Sequence, residues 1–572
     1  RDVRVPLLSR LRNLFGDDRK PLRADWLKGK PVVFCEFAHS MGNSLGNLAE
    51  YMAIFETYPT MAGGFIWDFA DQAIHRVLPD GRDAWLYGGD FGEERSDRNF
   101  CGNGLVAADR TPHPALREVR RIFQPVDAVL LDAAEGRVRI RSRLRFRSLG
   151  HLSVRARVTL DGVPVLDIPL DLPDLGPLEE TGIQVPYDFR ELQRLRRQAR
   201  SRDPLLRRGD LLLTLLFHYR LPQPAAEEGE EAAFVQFSLA GPESPRRDLP
   251  SPVACRRAGR GVRLHHEPDR IIAGVDGVFR AAFGRQSGCL ESLDLGGGEL
   301  LASPLEPWFW RVPTDNDRGY ANFLPFLLPL VPNEAWRKAQ EERETASVRV
   351  QAGGPDRSPR ILFRYQVPHC AGEAMVEYEI GCTGDIRIRM GLLPTRDMQR
   401  IGLRLSVPDR LGRVAWYGAG PHENYADRRQ GARIGIHEAR TADLAHDYLR
   451  PQENGSRCGV RWIRLTDETG RGFQVEDLQG AFLQASAWPY DDGDLDRADH
   501  IHELVRRDRY TIHLDHRQCG VGGDSPGLAA LRPAFRIPGG RRYRMDILLR
   551  PVPTLVPYPD DGQGAAEPGA GL

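Results

Sequence analysis

This 572-residue sequence lacks the features that would direct a protein into a membrane, onto nucleic acid or into a disulfide framework. No stretch approaches the 18 uninterrupted apolar residues of a membrane-spanning helix. The 79 Lys and Arg residues balance the 79 Asp and Glu residues, so no overall field attracts a polyanion. The eight cysteines show no CxxC spacing typical of a zinc site or redox pair. We therefore expect a cytoplasmic protein with reduced thiols and a neutral partner.

Residues 1–125 alternate strand-like and helix-like segments. Two apolar runs, 31–37 and 63–69, predict buried strands, and the amphipathic stretch 44–59 between them predicts a helix. Strands joined in this way form the βαβ unit of a parallel sheet. Because the segment holds too few units for an eight-stranded barrel, and the chain begins with Arg1 rather than Met, we expect a piece of a longer protein.

The rest of the chain has the patterns of antiparallel β-structure. Segments 138–146 and 152–160 alternate apolar residues with arginine, which is typical of half-buried strands. They predict a β-sandwich of immunoglobulin size over residues 126–245. Beyond it we expect a linker over 246–261, a large β-sandwich over 262–556 and a disordered tail over 557–572.

Glu36 is the one carboxylate in the apolar run 31–37, and His39 and a polar turn follow it. In parallel barrels, catalytic groups gather at the C-terminal ends of the strands. A carboxylate there fits a nucleophile or a general base. A structural glutamate paired with an arginine in the barrel mouth would occupy the same position. Position alone therefore does not decide between the catalytic and the structural interpretation.

Trp67 and Asp68 stand at the corresponding end of the next predicted strand. A tryptophan beside a carboxylate cleft is a common platform for a sugar ring, but a tryptophan packed between sheet and helices is an equal alternative. The stretch 97–104 adds the Asn103 side chain and the Phe100 carbonyl. These oxygen ligands suit a hard cation such as Na⁺ or Mg²⁺.

Three further features favour a structural interpretation. The arginine-rich segment 190–200 could bind RNA, but no aromatic or glycine-rich motif accompanies it, which favours a solvated insertion. His500 and His502 would share one face of a strand and could bind a metal, but no third ligand stands at diagnostic spacing. The glycine-rich stretch 520–527 precedes no evident helix, so a turn is expected rather than a phosphate site.

Several sequence blocks combine into a recognisable pattern: VVFCEFAHSMGNSLGN, GGFIWDFADQAI, YGGDFGE, DRNFCGNGLVAADRTPHPAL, PTDNDRG, WYGAGPHENYADR and PQENGSRCGVRW. Taken in this order, they resemble the long, LacZ-type β-galactosidases of glycoside hydrolase family 2. The agreement extends over most of residues 1–125 and about 265–550. The sandwich between these regions is similar only in pattern.

The resemblance implies a multidomain protein, of which this chain holds the C-terminal part of a TIM (β/α)8 barrel, an immunoglobulin-like β-sandwich and a large β-sandwich domain. It implies an enzyme that hydrolyses terminal non-reducing β-D-galactose residues with retention of configuration. It further implies a homo-oligomer whose partners are a β-galactoside and the missing N-terminal half of the enzyme, supplied in cis or in trans.

The resemblance also assigns roles to residues. Glu36 matches the nucleophile that forms the glycosyl-enzyme. His39, Trp67 and Asn103 match substrate-binding positions, and the Phe100 carbonyl with Asn103 matches a Na⁺ site. A further stretch would lie near the cleft and contains Asp315, Asn316, Asp317 and Gly319.

The sequence departs from the family pattern in several places. The family's general acid and its Mg²⁺ ligands lie upstream of this chain, so we expect the chain alone not to turn over a galactoside. Leu8 stands where the family usually has tyrosine, and the tryptophan that commonly follows Asp524 in the family is missing. These differences leave the identity of the natural galactoside undetermined. A non-catalytic carbohydrate-binding or assembly module and a degenerate pseudoenzyme are the alternatives.

Overall fold

The computed structural model describes residues 30–202, 208–239, 261–319, 332–354, 357–522 and 531–552. Contacts divide the chain into two compact units, the first drawn from residues 1–122, 250–468 and 472–551 and the second chiefly from residues 123–249. The described residues are mostly β-sheet, and no helix among them is long and apolar enough to cross a membrane. The predictions on Leu8, Asp524, nearly all of the linker 246–261, and the tail 557–572 lie outside the described residues.

The first unit begins with the predicted βαβ arrangement. Strands β1 (Val32–Phe37) and β2 (Met61–Ile66) pair in parallel, and helix α1 (Leu48–Thr57) connects them. The helix begins later than predicted because Asn47 adopts the left-handed conformation, with φ of 66°. The prediction that the first strand is buried is wrong, because every residue of β1 before Phe37 is exposed or only partly buried, and its only partner among the described residues is β2.

Short elements follow β2 and complete this segment. They are the hairpin strands β3 (Ile74–Val77) and β4 (Asp83–Leu86), the 3-10 helix Arg98–Cys101 and helix α2 (Pro114–Ile122). Helices α1 and α2 pack against the end of β1 in one apolar core that includes Phe37, Leu48, Tyr51 and Val119. This packing fixes the C-terminal end of β1, where Glu36 lies.

The second unit contains a four-stranded antiparallel sheet in the order β11-β10-β7-β8 and a three-stranded sheet in the order β5-β6-β9. The strands are β5 (Val126–Asp132), β6 (Arg137–Ser142), β7 (Leu152–Leu160), β8 (Val163–Leu170), β9 (Glu180–Gln184), β10 (Leu211–Tyr219) and β11 (Glu231–Ser238). Both sheets contribute to one core. Helix α3 (Phe189–Arg202) contains the arginine-rich segment and packs Leu192, Leu195 and Ala199 against that core.

Two nine-stranded sheets share the main core of the first unit. The first has the order β12-β13-β14-β15-β16-β21-β28-β27-β24 and the second the order β17-β18-β19-β20-β29-β26-β25-β22-β23. The strands are β12 (Arg263–His266), β13 (Arg270–Val275), β14 (Phe279–Gly284), β15 (Leu290–Asp294), β16 (Ser303–Trp308), β17 (Glu344–Gln351), β18 (Arg360–Gln366), β19 (Ala371–Ile380), β20 (Ile386–Pro394), β21 (Arg400–Pro408), β22 (Arg413–Gly420), β23 (Arg433–Arg440), β24 (Arg457–Val460), β25 (Trp462–Thr466), β26 (Gly472–Asp477), β27 (Leu483–Trp488), β28 (Arg509–Gln518) and β29 (Tyr543–Pro551). Helices α4 (Asp315–Arg318), α5 (Pro332–Glu341) and α6 (Asp492–Arg497) lie in the connections. We refer to these two sheets and their connections as the large sandwich.

Replacement of a buried ring in the large sandwich tests this core. Phe363 on β18 is fully buried, so Phe363→Ala is expected to lower the free energy of unfolding by about 3–5 kcal/mol. Urea denaturation followed by tryptophan fluorescence measures this change in the free energy of unfolding. The signal reports the first unit, because all nine tryptophans lie outside residues 123–249. The exposed Phe65→Ala is the control, with an expected change within about 0.5 kcal/mol. Equal effects of the two substitutions would contradict the assigned core.

Candidate active site

Glu36 lies on β1, one residue before the end of the strand, with its side chain exposed. Among the described residues, no arginine and no backbone N–H pairs with its carboxylate. The alternative of a glutamate held in an ion pair therefore has no support from the described part of the chain. An exposed carboxylate at the C-terminal end of a parallel strand is placed to meet a ligand.

The segments that follow β1 and β2 are joined through their backbones. The N–H of Trp67 donates to the Phe37 carbonyl (3.2 Å), and the N–H of Ser40 donates to the Trp67 carbonyl (2.7 Å). The N–H of Asp68 in turn donates to the Asn103 carbonyl (2.7 Å). Trp67 remains 38% exposed, which suits a platform for a ligand better than a filler of an interior layer.

His39 is buried, with 8% of its surface exposed, and its ring stacks on Phe100 with centroids 5.5 Å apart. Neither ring nitrogen has a hydrogen-bond partner among the described residues. Burial lowers the pKa of His39 to about 4, although the carboxylates of Asp315 and Asp68 act in the opposite direction. The imidazole is therefore neutral near pH 7 and offers one donor and one acceptor to an uncharged ligand.

Asn103 is buried, and its Nδ2 donates to the Phe100 carbonyl at 3.0 Å. Its Oδ1 is buried without a hydrogen-bond partner among the described residues. The predicted Na⁺ ligands are therefore adjacent, but the amide presents its nitrogen to the carbonyl. A half-turn of the amide would place both oxygens together, an arrangement that needs a cation between them.

A chain of buried polar groups holds the turn that contains Asn103. Asp71 accepts the Gly104 N–H on one oxygen (2.8 Å) and contacts His113 Nε2 on the other (2.8 Å). His113 Nδ1 in turn lies 2.8 Å from His446 Nε2. Burial holds the pKa of His446 well below its usual range, so this histidine is neutral. The backbone beside Asn103 is thereby fixed from the large sandwich.

Asp315 of the large sandwich also reaches the turn after β1. Gln452 Nε2 donates to its Oδ2 at 2.8 Å, and Asn99 Nδ2 donates to its Oδ1 at 3.0 Å. Gly42 adopts the left-handed conformation, and a side-chain carbon at this position would collide with the Asp315 carboxylate. Glycine is therefore required where the turn passes over Asp315.

Asn43 anchors the same turn and was not singled out by the sequence analysis. Its N–H donates to Gln452 Oε1 (3.1 Å), and its Nδ2 donates to the Glu453 carbonyl (2.6 Å). Arg428 donates to Asn43 Oδ1 (2.9 Å) and pairs with Glu423. The motifs WYGAGPHENYADR and PQENGSRCGVRW contain these partners, so their presence was the only sequence signal for this support.

Three other residues of the PTDNDRG stretch stabilise the fold around Asp315. Asp317 forms an ion pair with the buried Arg311 (2.6 Å) and completes a capping box at α4. Asn316 donates to the Val521 carbonyl (2.8 Å), and Gly319 ends α4. Within this stretch, Asp315 is thus the residue whose contacts reach the turn after β1.

The structure corrects the predictions on His500 and His502. His502 lies within the 3-10 helix Ile501–Glu503 and His500 directly precedes this helix, so neither histidine is on a strand. Ligand atoms of both histidines and of Glu503 lie within 4.8 Å of one another, so the structure brings a third ligand to the pair although no diagnostic spacing in the sequence marks it.

Three protein-family models match the chain in succession. "Glycosyl hydrolases family 2, TIM barrel domain" matches residues 9–128, "Beta-galactosidase, domain 4" matches residues 138–240, and "Beta galactosidase small chain" matches residues 275–549. Together they span both units of the fold.

The chain is also similar to curated proteins. The beta-galactosidase of Priestia megaterium is 32% identical over 531 residues, which cover 91% of this chain and 48% of the relative. That of Klebsiella pneumoniae is 33% identical over 538 residues, with the same two coverages. The chain thus spans about half the length of the curated relatives it matches. A galactose mutarotase related enzyme from Lactobacillus acidophilus covers 51% of the chain with a TM-score of 0.29, which is too low to support a statement about fold.

The burial of His39 predicts how the stability of the protein depends on pH. Because its pKa of about 4 in the folded state lies below the ordinary 6.5, the folded protein binds fewer protons and loses stability as pH falls from 6.5 towards 4. The variant His39→Gln lacks this loss. Between pH 7.5 and pH 4.5, urea denaturation is expected to show the wild type losing about 2–3 kcal/mol relative to the variant. A difference that does not change with pH would contradict the burial of a neutral His39.

Proposed function

We propose that this chain, which belongs to glycoside hydrolase family 2, supplies the nucleophile and part of the sugar site of a retaining β-galactosidase. The observation that carries the proposal is the end of β1, where the exposed Glu36 precedes the buried, neutral His39, whose ring nitrogens have no hydrogen-bond partner in the described part of the chain. The substrate is a terminal, non-reducing β-D-galactose residue, as the names of the relatives suggest.

In this proposal the Glu36 carboxylate attacks the anomeric carbon and displaces the aglycone, whose oxygen takes a proton from a general acid. The glycosyl-enzyme on Glu36 is then resolved by water, and the acid acts as base in this step. A retaining mechanism needs the second carboxylate about 5 Å from the first. We assign that group, and the Mg²⁺ ligands near it, to the part of the enzyme upstream of this chain.

The sugar contacts follow from the unsatisfied groups at the site. A neutral His39 can donate to one sugar hydroxyl and accept from another, which satisfies both of its buried nitrogens. The half-exposed indole of Trp67 offers an apolar surface to the C–H face of the ring. Asn103 adds a buried oxygen. None of these groups carries a charge at neutral pH, which suits an uncharged sugar.

The same residues support a Na⁺ site. With its amide turned, Asn103 would bind the ion through Oδ1, and Phe100 would bind it through its carbonyl, which now accepts from Asn103 Nδ2. The bound ion would supply a positive charge that orders an oxygen of the sugar. The buried Oδ1 of Asn103, which has no hydrogen-bond partner among the residues that the structure describes, is the observation that favours this cation.

We further propose that the N-terminal half of the enzyme covers the barrel part of this chain, in cis or in trans. Large apolar side chains around β2 are exposed here, including Phe65, Phe69, Ile74 and Val77. Such a surface is typical of an interface. The finer domain arrangement that we propose is the end of a TIM barrel, an immunoglobulin-like sandwich and the large sandwich. Six described cysteines are free thiols, which suits the cytoplasmic location that we propose: Cys35, Cys101, Cys289, Cys370, Cys458 and Cys519. We also propose that the enzyme is a homo-oligomer.

Glu36→Gln, made in the protein that includes the upstream half, tests the nucleophile. It keeps the shape of the side chain and removes its charge, so kcat for a nitrophenyl β-galactoside is expected to fall at least about 1000-fold. Unfolding should change by less than about 0.5 kcal/mol, because Glu36 is exposed. Glu56→Gln, on α1 of the same βαβ unit, is the matched control and should retain activity. Retained turnover in Glu36→Gln would contradict the assignment of the nucleophile, whereas absence of turnover in the wild type would support a binding module or a pseudoenzyme.

The chain alone should not hydrolyse a nitrophenyl β-galactoside, because the proposal assigns the general acid to the upstream half. Addition of that half as a separate polypeptide is expected to restore turnover. Substantial hydrolysis by the isolated 572 residues would contradict the assignment of the general acid to the upstream half.

A further inference from the structure

A cluster of metal-ligating side chains consists of residues to which the candidate active site assigns no role. It consists of His500, His502 and Glu503, at the 3-10 helix Ile501–Glu503 between α6 and β28. One ligand atom from each residue lies within 4.8 Å of the other two. Two imidazoles and a carboxylate form a donor set that suits zinc-type divalent ions.

His500 is held between two carboxylates. Its Nε2 lies 2.8 Å from Asp90 Oδ2, and its Nδ1 lies 3.2 Å from Glu503 Oε1. The ring is buried, with 8% exposed, and stacks on Tyr87 with centroids 4.4 Å apart. Ionised carboxylates only accept hydrogen bonds, and a neutral imidazole has a single N–H. In the neutral tautomer that donates its Nε2–H to Asp90, Nδ1 presents its lone pair on the side of Glu503 Oε1, which is the form of the imidazole that binds a metal ion.

Backbone contacts position the other carboxylate. Glu503 Oε2 accepts the N–H groups of Asp499 (2.8 Å) and His500 (3.3 Å), so Oε1 is directed at the imidazole. His502 has a buried Nδ1 without a hydrogen-bond partner among the described residues. Its backbone carbonyl accepts a hydrogen bond from Arg82, which fixes the turn that carries the ring.

We propose that His500 Nδ1, His502 and Glu503 Oε1 bind one zinc-type divalent ion. Two ligand atoms bound at about 2.0–2.1 Å in a tetrahedral site lie about 3.3 Å apart, close to the 3.2 Å between His500 Nδ1 and Glu503 Oε1. The ligand atom of His502 lies within 4.8 Å of the other two, and in this proposal the His502 ring turns towards the ion. Water completes the coordination.

Asp90 acts as the outer partner of this site. A histidine that binds a metal commonly donates its other N–H to a carboxylate, which fixes the tautomer and the orientation of the ring. Asp90 is placed to be this carboxylate, because its Oδ2 lies 2.8 Å from His500 Nε2. Because Asp90 follows β4 and the histidines belong to the large sandwich, the ion would fasten these two parts of the first unit together.

Titration of the tag-free chain with Zn²⁺ in competition with a chromophoric chelator tests the site. The wild type is expected to bind one ion at this site, and His502→Ala and Glu503→Gln should each weaken that binding at least about 10-fold. Asp90→Asn should weaken it by about 10–100-fold, as loss of an outer partner does.

The sequence offers a matched control in His265, His266 and Glu267 on and beside β12, where the same residue types occur together. His265→Ala should leave Zn²⁺ affinity unchanged, because the exposed His265 has its Nε2 3.9 Å from Glu267 Oε1, and no described residue acts as an outer carboxylate partner there. Equal affinities of the wild type and His502→Ala would overturn the proposal, and so would equal losses in His265→Ala and His502→Ala.

A second measurement keeps the test decisive if a variant fails to fold. Co²⁺ added to the wild-type chain should give the intense visible absorption of a four-coordinate site, and added Zn²⁺ should abolish it. Only weak, six-coordinate absorption, or bands that indicate thiolate ligands alone, would overturn the assignment to this cluster.

Discussion

The buried side chain of Gln452 is the contact on which the candidate site depends. Its Oε1 accepts the N–H groups of both Asn43 and Asp315, at 3.1 Å each, and its Nε2 donates to the Asp315 carboxylate. Buried polar groups are costly unless they are hydrogen-bonded. The buried N–H of Asn43 in the turn after β1 is therefore satisfied by an amide of the large sandwich, and His39 of the same turn stacks on Phe100.

A second set of buried groups supports the first. Arg428 donates to Asn43 and pairs with Glu423, and the Tyr448 hydroxyl donates to the same glutamate at 2.6 Å. Burial raises the pKa of Tyr448 well above its usual range, so the hydroxyl keeps the proton that it donates. The large sandwich thus supports the turn after β1 directly, which explains how one compact unit can include residues far apart in the sequence.

The local patterns of the sequence predicted the βαβ unit, the antiparallel sheets and the position of Glu36 at the end of a strand. They could not predict that α1 begins only at Leu48, because the left-handed Asn47 is set by its contact with Asp427 rather than by helix periodicity. They also could not show that Asn43 and Gln452 meet across 409 positions. The pair His500 and His502 suggested a strand, whereas the local capping by Glu503 produces a 3-10 turn.

The central claim is that Glu36 becomes covalently bonded to the sugar. A 2-fluoro-galactoside with a good leaving group slows the second step of a retaining mechanism and leaves the sugar on the nucleophile. After its reaction with the protein that includes the upstream half, peptide mass spectrometry should find the adduct on the peptide VVFCEF and assign it to Glu36. Inactivation with the label on any other carboxylate would contradict the account.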